Sequence, residues 1–473
     1  MIKNFFYNLS YQVMLVLMPL LSVPYISRVL GVGGVGVYSY TFAIMQNFML
    51  LANLGINSYG TRQIAYTKEN LKEKSENFWS IVYLTLFSTL FSVVAMIAFA
   101  NFALPRYKYY LYIQIVYLIS SAFDISWFYI GIENFKKSVF KNSVVKILGF
   151  VSIFIFVKNK NDLGKYIWVL SLSQLIGQII LWVDIKKEIV FTKINKKMIA
   201  TVFIGAMTMF IPQLAIKIYV VINKVILGFL TNTTEVGYFD SSDKVIKIIT
   251  ALISTIGLVM LPRISSLYTQ NKLRLIDQYL NVTLDIATYM SIPIMVGIIT
   301  CAPWFVPWFF GEGFNPVVLI LQIIAPVILF IAWGTILGNQ ILLPMNQIKK
   351  YTMAVIAGAG LNLLSNFLFI PLFKANGAAV STVLSEMIVA SIMLYHAKNS
   401  IRKTELIKHV SLYGFMAFVM GAITIVVGFT LKVPSPKTTV VQATLGMSVY
   451  FFLSIIFKVP VINLIKEKVY KKK

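Results

Sequence analysis

Stretches of about 20 predominantly apolar residues recur along this chain, and segments of that length and character span the hydrocarbon of a bilayer. No water is available there to satisfy the backbone, so each stretch must close its own hydrogen bonds as a helix. The stretches lie near 5–30, 38–60, 78–101, 110–130, 142–157, 166–183, 198–230, 237–260, 283–305, 316–338, 350–371, 377–396, 410–431 and 439–458. The fold class is therefore all-α integral membrane, with about 14 transmembrane helices. The composition agrees. Of the 473 residues, 58% are hydrophobic and 12% charged, where a soluble domain carries about 25% charge. The first stretch is too long for the apolar core of a signal peptide and reads as a membrane helix. A single cysteine, Cys301, excludes an intramolecular disulfide.

The net charge of +25 does not indicate a nucleic-acid partner, because Lys and Arg sit in short clusters between the apolar stretches. Cytoplasmic loops of membrane proteins look like this. With the N-terminus placed in the cytoplasm, the inner segments hold 28 of the 42 basic residues and the outer loops eight. That asymmetry predicts an even number of spans with both termini cytoplasmic.

An internal repeat is legible. Leu30-Gly31 followed by Val35-Gly36-Val37-Tyr38 is echoed by Leu227-Gly228 followed by Val236-Gly237-Tyr238, and Lys136-Lys137 by Lys349-Lys350. The similar offsets predict two six-helix lobes, 1–197 and 198–409, followed by two further helices and a basic tail, 410–473. Parallel repeats of this kind occur in alternating-access transporters, with the substrate site between the halves. LG and VGxY pairs are also common in membrane turns, which is the plainer reading.

An ionisable residue inside a span is costly and marks function unless a partner accounts for it. Arg28, Lys217, Lys224, Lys244 and Lys247 fall at corresponding positions of the two lobes, where they could line one cationic cavity suited to phosphate. Snorkelling to the headgroups is the alternative, and it is preferred for Lys146. Asp240–Lys244 and Asp243–Lys247 are i,i+4 pairs with the acid first, the order that stabilises a helix. They read equally as mutual neutralisation or as cavity lining or proton coupling. Asp124 and Glu386, near the middle of their spans, read as proton-coupling carboxyls or as protonated groups bonded to a neighbouring helix. Enzyme motifs are absent. His396 and His409 lack metal-ligand spacing and read as surface residues, and no metal site is expected. Gly33-Gly34 and Gly36 make a turn between helices, since no strand precedes them as a nucleotide loop requires.

At these junctions the sequence resembles the Wzx-type polysaccharide flippases of the multidrug/oligosaccharidyl-lipid/polysaccharide superfamily. The resemblance runs through Arg28-Val29-Leu30-Gly31, Gly36-Val37-Tyr38, Tyr59-Gly60-Thr61-Arg62-Gln63-Ile64-Ala65, Asn223-Lys224, Leu261-Pro262-Arg263, Asn362 and Asn366, and Gly377-Ala378-Ala379 with Thr382 and Glu386. Each motif is weak by itself; their order along the whole chain is specific. The resemblance implies two lobes in a V around a cationic cavity, and alternating access. It also implies a substrate of undecaprenyl diphosphate carrying an oligosaccharide repeat unit, moved to the outer leaflet for surface polysaccharide assembly.

Arg28 matches a cavity-facing arginine of the related lipid II flippases, and Arg62 joins the basic set. Those relatives carry a sodium site whose positions fall here on Asn223, Asn362, Asn366, Ala378 and Thr382. Asn366 and Asn223 replace acids, and neutral amides hold a hard cation less well. The set is thus a degenerate cation site, leaving coupling to H+ or Na+ open with no other cofactor. The expected partners are the lipid-linked oligosaccharide, the bilayer and a polysaccharide polymerase, for a monomeric chain. A drug exporter of the same fold is the first rival, although it calls for an acidic cavity. A membrane polymerase or glycosyltransferase is the second, although it calls for larger outer loops.

Overall fold

The computed structural model describes the backbone of residues 2–192 and 196–462, with side chains except at 2–17, 135–141, 196, 211–213, 215–220, 254–259 and 261–262. No β-strand occurs among the described residues. The helices are α1 (Ile2–Asn53), α2 (Ile56–Tyr66), α3 (Leu71–Phe102), α4 (Lys108–Ile119), α5 (Ser126–Gly131), α6 (Phe135–Phe156), α7 (Leu163–Ile179), α8 (Lys196–Leu230), α9 (Thr233–Thr269), α10 (Leu273–Phe310), α11 (Pro316–Ile324), α12 (Val327–Leu337), α13 (Ile348–His396), α14 (Lys403–Leu431) and α15 (Pro436–Ile456). The expected all-α membrane class is what the chain adopts. Among the described residues nine helices are long and apolar enough to cross a membrane, with three shorter apolar helices beside them. Two of the nine contain a backbone break, at Gly31 (φ 66°) in α1 and at Lys374 (φ 52°) in α13. Both breaks fall between stretches read as separate spans, but Gly33, Gly34 and Gly36, read as the first turn, are helical, and Gly31 alone leaves the helix there.

Two expected single helices are interrupted, each for a local reason. The stretch 110–130 breaks at Asp124, whose Oδ1 accepts the Ser126 backbone N–H at 2.9 Å. That Asx-type bond competes with helix continuation, and the helix resumes as α5 at Ser126. The stretch 316–338 divides at Pro326, which lacks an N–H and clashes with the preceding turn.

The faces of α3 show which solvent surrounds the protein. Phe87, Leu90, Phe91 and Val94 are exposed, whereas Thr85, Ser88, Thr89, Ser92 and Ala100 are buried. A water-soluble helix has the reverse pattern. In lipid, large apolar side chains lose nothing by facing outward, while small and hydroxylated ones let helices approach and bond across. Ser88 Oγ donates to the Ala52 carbonyl at 2.6 Å, and Gln114 Nε2 donates to Thr41 Oγ1 at 3.0 Å.

The chain forms two compact units, Met1–Gly237 and Tyr238–Lys473. In contacts, the division falls later than the 197/198 boundary read from the repeat, because α8 packs into the first unit. A Cβ on Gly55 would sit 2.8 Å from the Ala206 carbonyl, and Gly205 and Gly228 lie against the rings of Tyr59 and Tyr40. Within this unit the two glycines of the repeated VG signature touch. A Cβ on Gly237 would lie 2.7 Å from the Val32 carbonyl and 3.1 Å from Gly36 Cα, and one on Gly36 would overlap the Thr233 carbonyl. A core of Ile56, Tyr59, Ile64, Phe78, Trp127 and Phe128 holds α2, α3 and α5. In the second unit Ile292, Tyr413, Met416, Met420 and Tyr450 join α10, α14 and α15.

Candidate functional site

In the first unit, Arg28 is exposed three residues before the Gly31 break. On α8, Asn223 is buried and Lys224 half-buried. The side chain of Lys217 lies outside the described residues. Arg62 is exposed on α2, a short helix that opens after Leu54 and Gly55, both at positive φ. The surrounding motif is chiefly a packing element. Tyr59 and Ile64 enter the core, and a Cβ on Gly60 would come within 2.6 Å of the Trp127 ring. Thr61 Oγ1 donates to the Trp127 carbonyl at 3.3 Å. Asp124 belongs to the same knot, bonded by Ser126 and by the Asn57 side chain, while Trp127 Nε1 donates to its carbonyl at 2.8 Å. The structure thus places Asp124 at a helix break and not in the middle of a continuous helix.

In the second unit the i,i+4 pairs form as read. Lys244 Nζ lies 2.6 Å from Asp240 Oδ2, and Lys247 Nζ 2.7 Å from Asp243 Oδ2. Both acids are buried, and the lysines are more exposed. Each acid is therefore balanced within its own helix. Asn362 and Asn366 are fully buried on α13, and Asn366 Nδ2 donates to Asn362 Oδ1 at 3.0 Å. Thr382 Oγ1 donates to the Ala378 carbonyl at 2.7 Å. Two of the oxygens that could face a cation thus already accept from neighbouring donors, and none of Asn223, Asn362, Asn366 and Thr382 supplies a carboxylate, the stronger ligand for a hard cation. Glu386, half-buried one turn beyond Thr382, acts electrostatically on Tyr351. Among the described residues no group of three or more His, Cys, Asp or Glu could hold a metal.

Two features escaped the sequence reading. The first is an apolar cavity of about 780 Å³ bounded by α9, α10, α14 and α15, with Pro293, Ile298, Phe305, Met420, Met447 and Phe451 on its wall. Cavities of about 300–1,000 Å³ with mostly apolar walls are typical of sites for small organic ligands. The second is His409, which is not a surface residue. It lies on α14, and its Nδ1 is 2.7 Å from Oδ1 of Asp285 on α10. The signal was available: Asp285 is an acid inside an apolar span, as conspicuous as Asp124.

The chain matches the family described as polysaccharide biosynthesis protein over residues 1–268. It is 26% identical over 394 residues to an Escherichia coli (strain K12) protein named as a candidate O-antigen transporter, covering 81% of this chain and 93% of that one. With the lipid II flippase MurJ of Bacillus subtilis (strain 168) it shares 25% over 225 residues, 44% of this chain and 41% of that one. In fold it is similar to a solved lipid II flippase MurJ in an inward closed conformation, with a TM-score of 0.76 at 17% identity, covering 98% of this chain and 100% of the other. It is also similar to an inward-facing MATE family multidrug transporter, with a TM-score of 0.63 at 14% identity over 84% of this chain and 98% of the other. The chain belongs to the polysaccharide biosynthesis protein family, as a multi-pass membrane transporter.

Proposed function

We propose that this protein flips undecaprenyl-diphosphate-linked oligosaccharide repeat units from the cytoplasmic to the outer leaflet of a bacterial cytoplasmic membrane, by alternating access. The observation that carries the reading is the apolar cavity of about 780 Å³ between α10, α14 and α15, in a chain whose relatives are named for O-antigen transport and lipid II flipping. A lipid-linked sugar presents two incompatible surfaces. Its prenyl chain needs an apolar channel, while its diphosphate and glycan must cross about 30 Å of hydrocarbon in a hydrated path. The cavity suits the first need. Arg28, Lys224 and Arg62 serve the second, with arginine able to grip a phosphate in two places at once. Lys244 and Lys247 contribute less, since each already faces its own carboxylate. Coupling through the amide pair Asn362–Asn366 is not part of the proposal.

The test is made in the native host, with the gene deleted and then restored as wild type or as Arg28→Ala. Deletion is expected to abolish surface polysaccharide while repeat units accumulate on the cytoplasmic leaflet. Arg28→Ala is expected to reduce export at unchanged protein level. Normal export in the deletion strain, with no second flippase active, would sink the function. Normal export in Arg28→Ala alone would return Arg28 to a headgroup contact. A drug exporter would instead leave polysaccharide intact and alter sensitivity to cationic compounds.

A further inference from the structure

Asp285 is buried on α10, and two side chains meet one of its oxygens. His409 Nδ1 lies 2.7 Å from Oδ1, and Tyr413 Oη donates to the same oxygen at 2.9 Å. Both partners come from α14. Among the described residues the ion-pair partner of Asp285 is His409. Arg402, the neighbouring strong cation, meets Glu405 at 3.3 Å. The charge balance of the buried carboxylate therefore depends on one proton shared with an imidazole, the side chain whose protonation ordinarily changes between about pH 5 and pH 8. With the proton, the pair is balanced as imidazolium and carboxylate, or as neutral imidazole and carboxylic acid. Without it, a carboxylate stands in the seam between two helices with only neutral donors.

The cluster has access on one side and a cavity on the other. A small cleft whose wall includes Gln278, Asn281, Arg402, Glu405 and Pro460 reaches Asp285 and His409, giving a proton a way in. Beside it Asn281 binds α10 to the start of α14: its Nδ2 donates to the Ser400 carbonyl at 2.8 Å, and its Oδ1 accepts the Arg402 N–H at 3.0 Å. On the other side, Tyr413 packs edge-on against Tyr289 at 5.4 Å, and Tyr289 meets Tyr450 of α15 at 5.1 Å. Tyr450 Oη donates to the Tyr289 carbonyl at 3.1 Å. Tyr289 and Tyr450 line the apolar cavity. Among the described residues, the titratable and charged groups around the pair are Tyr289 from α10, Arg402 just before α14, Glu405 and Tyr413 from α14, and Tyr450 from α15. Lys403 and Lys408 are exposed on α14.

We propose that Asp285, His409 and Tyr413 form a proton-binding site whose occupancy is linked to occupancy of the apolar cavity beside it. A proton holds the α10–α14 seam charge-balanced and fixes the tyrosines that form the cavity wall. Its loss draws water toward Asp285 and loosens that wall. By reciprocity, whatever fills the cavity retains the proton. Reading the occupant as a prenyl chain rests on the function proposed above; the proton site itself does not.

Full-length protein in nanodiscs is titrated with undecaprenol, which fills an apolar cavity and carries no ionisable group of its own. Wild type is expected to bind about fivefold more tightly near pH 5.5 than near pH 8, a coupling at the lower end of those typical between linked sites. Asp285→Asn and His409→Gln are each expected to lose that dependence, and His396→Gln to retain it. If Asp285→Asn does not yield monodisperse protein, His409→Gln and Tyr413→Phe carry the comparison, the latter removing one donor with little change in packing. A wild-type affinity independent of pH, or an unchanged dependence in the variants, overturns the site. Undecaprenol that fails to bind at either pH overturns the linkage, and the export assay then judges the function separately.

Discussion

Gly36→Ala adds one methyl group at the contact between the two repeated glycine signatures. The Cβ would overlap the Thr233 carbonyl and approach the Gly237 backbone nitrogen at 3.2 Å. Both obstacles are backbone, so no side chain can turn away, and the helices must separate. Overpacking of a tight interior costs about 1–3 kcal/mol, and rigid obstacles place this case near 3. Replacing a helical glycine by alanine returns roughly 0.5–1 kcal/mol, leaving a net loss of about 2. The control lies one turn away on the same helix. A Cβ on Gly33 meets nothing within 4 Å, so Gly33→Ala is expected to gain about 0.5–1 kcal/mol. For a unit of this size 1 kcal/mol moves the melting temperature by about 2–4 °C. In one detergent, Gly36→Ala should therefore melt roughly 4–8 °C below wild type, and Gly33→Ala about 1–4 °C above it. If Gly36→Ala melted at or above wild type, or if Gly33→Ala fell as far, the backbone contact would not be the reason for glycine at position 36.

Lys244→Ala is expected to cost more stability than the double change Asp240→Ala with Lys244→Ala, because the single change takes a cation from beside a buried carboxylate, which the double change removes as well; melting curves of the three proteins decide it, and equal losses would refute mutual neutralisation. If Lys244 instead gripped cargo, export would stay lost in the double variant even as stability returned. Asn70 caps α3, its side chain accepting from the N–H groups of Lys72 and Glu73 at 3.1 and 3.2 Å. Asn70→Ala should cost about 1 kcal/mol and Asn70→Asp much less, as the melting temperatures would register.

The charged pairs of α9 and the turns at Gly31 and Lys374 were legible because their causes are local. An i,i+4 spacing is a distance along one helix, and a turn follows from a few residues. The Asp124 break was less legible, since hydropathy passes smoothly across it and only the Asx bond to Ser126 divides the helix. Arg62 and its motif carried a resemblance, yet their geometry is that of a core: Gly60 clears room for Trp127, sixty-seven positions away.

By itself the sequence determined the solvent, the all-helical class, the repeated signature and the scatter of basic residues, each a matter of composition or of spacing within one segment. Only the tertiary structure decided that α8 packs with the first unit, that the two VG signatures touch, that α9, α10, α14 and α15 line an open apolar cavity, and that Asp285 meets His409 across 124 residues. The physical reason is the solvent itself. In water a polar face and an apolar face tell a helix which side to bury. In lipid both faces are apolar, so hydropathy marks where a helix runs and leaves its orientation to small residues, buried hydroxyls and a few long-range polar bonds.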